Sequence, residues 1–293
     1  MPQDFSNSIG NTRIAIAGAT GRIGLALTSL LIADQAELVV LTRQPGGEKL
    51  PSGVDVAAVD FDRPETLRDA LTGADRLFIS HGTSAQQVAN EIALIDNAVA
   101  AGVRHIVKIS AMGPASRLNP FAWHMEIEAH LARQPIASTV LRPSAFADVL
   151  KRAAADIVAD TWAGAAGNGR VNFIDTLDVA KVAHVALHED VQPESQRAYH
   201  LTGQRAWTLP QVAEELSVLL GRPVTYGHLS LEQQRAKLAS SGLPSMVVDI
   251  LLGLDQVYRE SILGETTSTV EELTGERPRS LSQWLTENLA IFR

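Results

Sequence analysis

The chain has 293 residues, 45% of them hydrophobic, and carries 33 acidic against 25 basic side chains for a formal net charge of −8. That length suits one large domain or two intimate ones around a substantial core, and the acidic balance without a Lys/Arg cluster argues against a nucleic-acid ligand. There is no cysteine, which removes disulfides, thiolate nucleophiles and cysteine-held zinc, and is consistent with a reducing cytoplasm.

In chain order, the first ten residues read as a flexible leader without the basic-then-apolar pattern of a signal peptide. Every long apolar run is broken by glycine or charge before it could span a bilayer. A cytoplasmic protein without membrane contact is expected. Arg13-Ile14-Ala15-Ile16-Ala17 then predicts a strand, Gly18-Ala19-Thr20-Gly21-Arg22-Ile23-Gly24 a glycine turn, and the stretch from Leu25 to about Ala33 a helix, before a second strand at Leu38-Val39-Val40-Leu41. Strand, glycine turn and helix in that order make a dinucleotide site. The first glycine permits a tight turn, the second lets backbone N–H groups approach a pyrophosphate, and the third lets the helix pack on the strand with its positive end facing the phosphates. Gly18, Thr20, Gly21, Arg22, Ile23 and Gly24 are therefore candidate cofactor contacts.

The end of the second strand distinguishes the two nicotinamide dinucleotides. An NAD-selective site places an acid there to accept hydrogen bonds from the ribose hydroxyls. This chain has Thr42-Arg43, and a guanidinium pairs in bidentate fashion with a 2′-phosphate, which points to NADP(H). Arg22 and Lys49 are candidates to add charge to the same pocket. Asp34 and Glu37 precede the second strand and do not fit the role of a ribose acid.

Further strand-like runs follow at 54–59, 76–80, 105–110 and 137–141, the rhythm of a buried parallel sheet. Helix starts are expected at Asp62 with Glu65 and Pro64, at Ser84 with Gln87, and at Asn119-Pro120. After the loop at 142–148 come a helix, a glycine-rich turn at 164–169, a strand at 171–174, a helix at 177–187 and a strand at 198–202. The last ninety residues read as mainly helical, with capping boxes at Thr208/Gln211, Ser230/Gln233 and Ser280/Gln283. The pattern predicts a Rossmann-like, doubly wound parallel α/β sheet over residues 1–145, with 171–190 packing back on it. A smaller, mainly helical substrate region is expected over 146–293.

Several stretches carry a resemblance. Besides Gly-Ala-Thr-Gly-x-x-Gly, they are Thr42-Arg43, Asp60-Phe61-Asp62 with Pro64-Glu65-Thr66-Leu67, Ala101-Gly102-Val103, Trp123-His124 with Glu128, and Leu141-Arg142-Pro143 with Phe146. Beyond these lie Phe173-Ile174-Asp175, Asp178-Val179-Ala180, Tyr199-His200-Leu201-Thr202-Gly203 and Leu219-Leu220-Gly221-Arg222-Pro223-Val224. Almost end to end the chain resembles the NmrA-like, atypical short-chain dehydrogenases/reductases, which include reductases of quinones and of triphenylmethane dyes. The resemblance implies that Asp60 and Phe61 border the adenine and that Ser80-His81-Gly82 runs past the ribose and pyrophosphate.

Most short-chain reductases carry Tyr-x-x-x-Lys on the helix after the fifth strand; this chain has His124-Met125-Glu126-Ile127-Glu128 there. His124 and Glu128 are four apart and share a helical face, so they are expected to pair and to raise the imidazole pKa toward a proton-donating form. Ser110, closing the fifth strand, is placed to hydrogen-bond a carbonyl substrate. Lys108, two residues earlier on the same face, reads as structural. Phe121, Trp123, Phe146, Trp162 and Phe173 are available as aromatic walls, with Trp123 and Phe146 the chosen pair for a substrate pocket. No metal site is expected, and a homo-oligomer is compatible with the sequence.

Three functions compete. The first is an NADPH-dependent reductase of a quinone or similar conjugated acceptor, which takes hydride without a dedicated strong acid. The second is a non-catalytic NADP(H)-sensing regulator, and the third a tailoring enzyme that uses His124 as acid and base.

Overall fold

The computed structural model describes residues 12–46, 52–114 and 118–293. The first eleven residues and Lys49 therefore lie outside the described residues. The first half alternates strand and helix: β1 Arg13–Ala17, α1 Arg22–Ala33, β2 Glu37–Thr42, β3 Asp55–Ala58, α2 Pro64–Leu71, β4 Arg76–Ile79, α3 Gln87–Ala100, β5 His105–Ile109, α4 Phe121–Leu131 and β6 Ala137–Pro143. After it come β7 Ala145–Phe146, α5 Ala154–Val158, β8 Ala163–Gly164, β9 Val171–Ile174, α6 Thr176–His188, β10 Gln196–Leu201 and β11 Ala206–Trp207. The chain closes with α7 Leu209–Leu220, β12 Gly227–His228, α8 Leu231–Ser240, α9 Ser245–Arg259, α10 Thr269–Thr274 and α11 Leu281–Glu287.

Seven strands form one sheet in the order β10-β6-β5-β4-β1-β2-β3, parallel throughout. Strand alternation divides its side chains between two cores. Ile14 and Ile16 of β1 face α1 and α6, where Leu27, Leu31, Val179, Val182 and Leu187 are buried. Ala15 and Ala17 face α2, α3 and α4, with Leu67, Leu71, Leu94, Ile95, Ile127 and Leu131. Such fully buried leucines are each worth about 1.5–3 kcal/mol of hydrophobic transfer, which explains why the strands read as continuous apolar runs in the sequence. Sheet order reverses between β1 and β4, and the crevice outside the carboxyl ends at such a switch point is where open α/β sheets bind ligands.

The sequence beyond residue 146 is shared between sheet and cap. Helix α6 packs on α1, β10 is the seventh strand, and Val270 of α10 joins the core beneath them. The remaining elements enclose a separate aromatic core built on Trp162, Phe173, Trp207, Tyr226, Tyr258 and Trp284. No helix among the described residues is long and apolar enough to cross a membrane.

Two helix starts differ from the sequence reading. Helix α2 has Arg63, not Asp62, at its cap position, with Pro64 in the first turn. Helix α3 begins at Gln87 rather than near Ser84, because the Gln87 side chain is buried and donates to Glu91 Oε1 at 2.9 Å instead of closing a capping box. The boxes at Thr208/Gln211 and Ser230/Gln233 form in full; at Ser280 the hydroxyl accepts from the Gln283 N–H.

Candidate dinucleotide and acceptor site

The glycine turn connects β1 to α1 at the switch point. Gly18 has φ +97°, and a Cβ there would stand 2.0 Å from the Ser80 carbonyl oxygen, so the loop after β4 packs directly against this residue. A Cβ on Gly24 would meet Gly18 O at 2.2 Å and Ala19 Cα at 2.7 Å, which is how closely the helix rests on the turn. Gly21 caps α1 with extended backbone and no side-chain cap bond, and Thr20, Gly21 and Arg22 are exposed. The first N–H groups of the helix thus face outward without a side-chain partner, the arrangement that receives a phosphate. Ile23 and Gly24 are buried beneath them.

Arg22 is engaged elsewhere than the sequence suggested. Its guanidinium reaches Asp148 Oδ1 at 3.0 Å, a buried carboxylate that Lys151 also contacts at 3.0 Å. Arg43 lies just past β2, exposed and without an ion pair among the described residues. Phe61 and His81 meet edge to face at 6.3 Å between ring centres, bringing the loops after β3 and β4 together. Asn90 Nδ2 lies 3.0 Å from His81 Nε2, while Nδ1 lies 2.6 Å from the Gly82 carbonyl. Asp60 is exposed and accepts from the Asp62 N–H at 3.0 Å; Gly82 is likewise open to solvent.

Deeper in the crevice two charged sets stand side by side. In the first, Lys108 Nζ, fully buried, lies 3.0 Å from Glu91 Oε2, donates to Ile109 O at 2.9 Å and contacts His124 Nδ1 at 3.2 Å. Gln87 lies between Glu91 and His124. In the second, Ser110 Oγ donates to Glu128 Oε1, and Arg142 Nε donates to both Glu128 oxygens at 3.2 and 3.3 Å.

This arrangement corrects the expected His124–Glu128 pair: among the described residues no hydrogen bond or ion pair joins them. Glu128 turns to the stronger bidentate Arg142 partner, and His124 turns to Lys108. Burial, assisted by the Lys108 charge, pushes the His124 pKa down to about 3, the opposite of the expected rise. His124 is a neutral imidazole whose Nδ1 accepts from the ammonium. Burial also lowers the Lys108 pKa, and Glu91 opposes that shift.

Glu91, Gln87 and Arg142 join the candidate set without having been singled out as site residues in the sequence, and Lys108, read there as structural, is bonded into it. Their signal was available as charge on buried faces. Glu91 falls in the buried stripe Gln87, Glu91, Leu94, Ile95, Ala98 of α3, and Lys108 interrupts the apolar run Ile106, Val107, Ile109 of β5. Of the aromatic candidates, Phe121, Trp162 and Phe173 are consumed by the cap core, whereas Trp123 and Phe146 stay half-buried. Two further cavities lie away from the glycine turn and the polar set, and of the candidate residues only Phe173 lines either of them. One of about 190 Å³ lies between Phe173, Trp207 and Leu281, and one of about 340 Å³ lies at the amino edge around Arg76, His105 and Ile136.

A parallel doubly wound sheet, an open glycine turn at its switch point and a hydrogen-bonded polar set at the carboxyl ends of β5 and β6 define a dinucleotide-binding protein of the short-chain reductase type, without that type's usual tyrosine and lysine. The chain belongs to the NmrA-like family, whose profile matches residues 10–285. It is 31% identical over 284 residues to an NAD(P)H azoreductase of Xenophilus azovorans, covering 95% of this chain and 99% of the relative. It is also 31% identical over 277 residues to quinone oxidoreductase 2 of Escherichia coli (strain K12), covering 92% and 96%. The crystal structure of the NADPH-dependent quinone oxidoreductase QOR2 from Escherichia coli, complexed with NADPH, superposes with a TM-score of 0.86 at 29% identity, covering 94% of this chain and 99% of the other.

Proposed function

We propose that this protein is an NADPH-dependent reductase of quinone-like, conjugated aromatic acceptors. The outward N–H groups of the glycine turn fit a pyrophosphate, Arg43 fits a 2′-phosphate, and Phe61 with His81 fits an adenine edge. When bound, the dihydronicotinamide supplies hydride. The remaining work falls to the chain itself. Arg142, with 34% of its side chain exposed, presents a cation to an acceptor oxygen that gains negative charge, while Ser110 gives its one O–H to Glu128 and so helps fix the carboxylate that orients the guanidinium. A flat conjugated acceptor spreads that charge over its ring, so orientation and a nearby cation replace a strong acid. Trp123 and Phe146 are the half-buried rings suited to hold its faces.

The Ser110–Glu128–Arg142 set carries this reading, because it stands at the carboxyl ends of β5 and β6 where a reacting oxygen would lie. Its test is NADPH oxidation by simple benzoquinones and naphthoquinones, with an azo dye and a triphenylmethane dye as further acceptors. The wild type turns over, and Arg142→Gln lowers kcat/KM about tenfold or more, a loss of about 1.4 kcal/mol of transition-state stabilisation. Tight NADPH binding without turnover of any of these acceptors overturns the reductase reading in favour of an NADP(H)-sensing regulator. The low His124 pKa also weighs against a tailoring enzyme with His124 as its acid.

A further inference from the structure

Helices in a parallel α/β sheet run opposite to the strands, so α1 and α6, neighbours on one face, bring their last turns together at the amino edge. That is the edge away from the crevice. Three side chains of coordinating type converge there. Asp34, the C-cap of α1, places Oδ2 at 2.5 Å from His184 Nε2 and 3.1 Å from His188 Nε2. The two histidines are four apart on α6, their rings 4.2 Å from each other, and the three ligand atoms lie within 4.8 Å of one another.

From this convergence the geometry points to a divalent transition-metal site, of the zinc, cobalt or nickel class, formed by Asp34, His184 and His188. Its donor set is two imidazole nitrogens and one carboxylate oxygen, the set that borderline cations take. The tautomer is prepared as in metal-binding histidines: His188 Nδ1 lies 2.7 Å from the His184 carbonyl, which assigns its proton to Nδ1 and turns the Nε2 lone pair toward Asp34. The C-terminal ends of two helices add negative potential from their dipoles.

Ligand atoms on a tetrahedral ion with bonds of about 2.0–2.1 Å are about 3.3 Å apart, so seating one needs side-chain adjustments of less than about 1 Å. Asp34 and His184 are partly exposed, which leaves solvent the remaining coordination positions. The opposing charge is Arg76, which donates to the carbonyls of Leu187 and Glu189 and is itself faced by Asp75, Glu189 and Asp190. A bound ion would tie α1 to α6 across 150 residues of chain and stabilise the folded form by mass action.

The test uses the full chain without an affinity tag, dialysed against a chelator and then titrated with Co²⁺ and with Zn²⁺. Binding is read by cobalt absorption bands, by competition with a chromogenic chelator and by melting temperature. One equivalent is expected, with Zn²⁺ affinity reduced at least tenfold in His184→Gln and in Asp34→Asn, and a zinc-dependent rise in melting temperature lost in both. His130→Gln, which removes a histidine paired with Asp96 elsewhere on the surface, retains wild-type binding. The proposal fails if the wild type takes up no ion, which leaves a proton-bridged ion pair. It fails equally if His184→Gln and Asp34→Asn, folded by circular dichroism, bind as the wild type does.

Discussion

Replacing Lys108 by Met tests whether the Lys108–Glu91 pair is a buried ion pair or an incidental contact. Methionine keeps the length and packing of the lysine stem but removes the charge. In the wild type the ammonium is fully buried with Glu91 Oε2 at 3.0 Å, and the Glu91 side chain is 1% exposed, so the substitution strands a carboxylate beside Gln87 alone. Breaking such a pair from one side costs about 3–5 kcal/mol, whereas replacing both partners by apolar groups of similar volume is close to neutral or stabilising. Lys108→Met and Glu91→Met are therefore each expected to lose about 3–5 kcal/mol, and the double variant to recover most of it, for a coupling of about 2 kcal/mol or more. At about 2–4 °C per kcal/mol for a chain of this size, each single variant melts roughly 6–20 °C lower. Urea unfolding and thermal melting at pH 7 read the cycle. Single losses below about 1 kcal/mol with coupling near zero would refute the pair as a buried charge interaction.

Arg43→Ala is expected to weaken NADPH binding about ten- to a hundredfold while leaving NADH nearly unchanged, since a charge-assisted contact is worth about 1.5–3 kcal/mol; calorimetry showing equal losses rules out the 2′-phosphate contact. Gly24→Ala forces a Cβ to within 2.2 Å of Gly18 O and must lift α1 off its turn. A cost of about 1–3 kcal/mol follows, and a variant that melts like the wild type would contradict the close approach. For His124 the folded pKa of about 3 lies below the ordinary 6.5, so the unfolded chain binds the extra proton between those values. The stability this neutral imidazole contributes is full above about pH 6.5 and is lost as pH falls toward 3, at up to about 1.4 kcal/mol per unit. The stability difference between wild type and His124→Gln should shrink by about 2–3 kcal/mol from pH 6.5 to 4.5. Asp178 and Asp255, both raised to about pH 6 by burial, are present in both proteins and cancel. A difference that stays constant over that range excludes the depressed imidazole.

The sheet was legible because its central strands β1, β4, β5 and β6 are buried on both faces and read as apolar runs between glycine turns, whereas the edge strands β3 and β10 are half-exposed. The wiring of the site was not. His124 and Glu128 are four apart on α4, and helical spacing alone makes them partners. Yet each has a better one from another element: Lys108, 16 residues back, and Arg142, 14 residues on. An i,i+4 pair on a helix is worth only a few tenths of a kcal/mol, so a buried ammonium or a bidentate guanidinium overrides it, and neither alignment is visible without the strand register. At the other edge the His184/His188 spacing stands in the sequence. Asp34 does not, because only the packing of α1 on α6 brings it there.

The two charged sets in the crevice divide the labour in a way their exposure dictates. Glu91 and Glu128 sit on neighbouring helices and each takes one cation, Lys108 and Arg142, so the sets differ less in chemistry than in access to water. Lys108 has no exposed surface, while Arg142 keeps a third of its side chain open. A buried pair contributes rigidity and holds the His124 tautomer; it has no free donor to present to an acceptor. The half-open pair does, through the exposed part of the Arg142 guanidinium. Substitutions in the first set should therefore register in unfolding before they register in turnover. Arg142→Gln, which removes the half-open cation of the second while Ser110 still donates to Glu128, should register in turnover with a smaller drop in melting temperature than Lys108→Met.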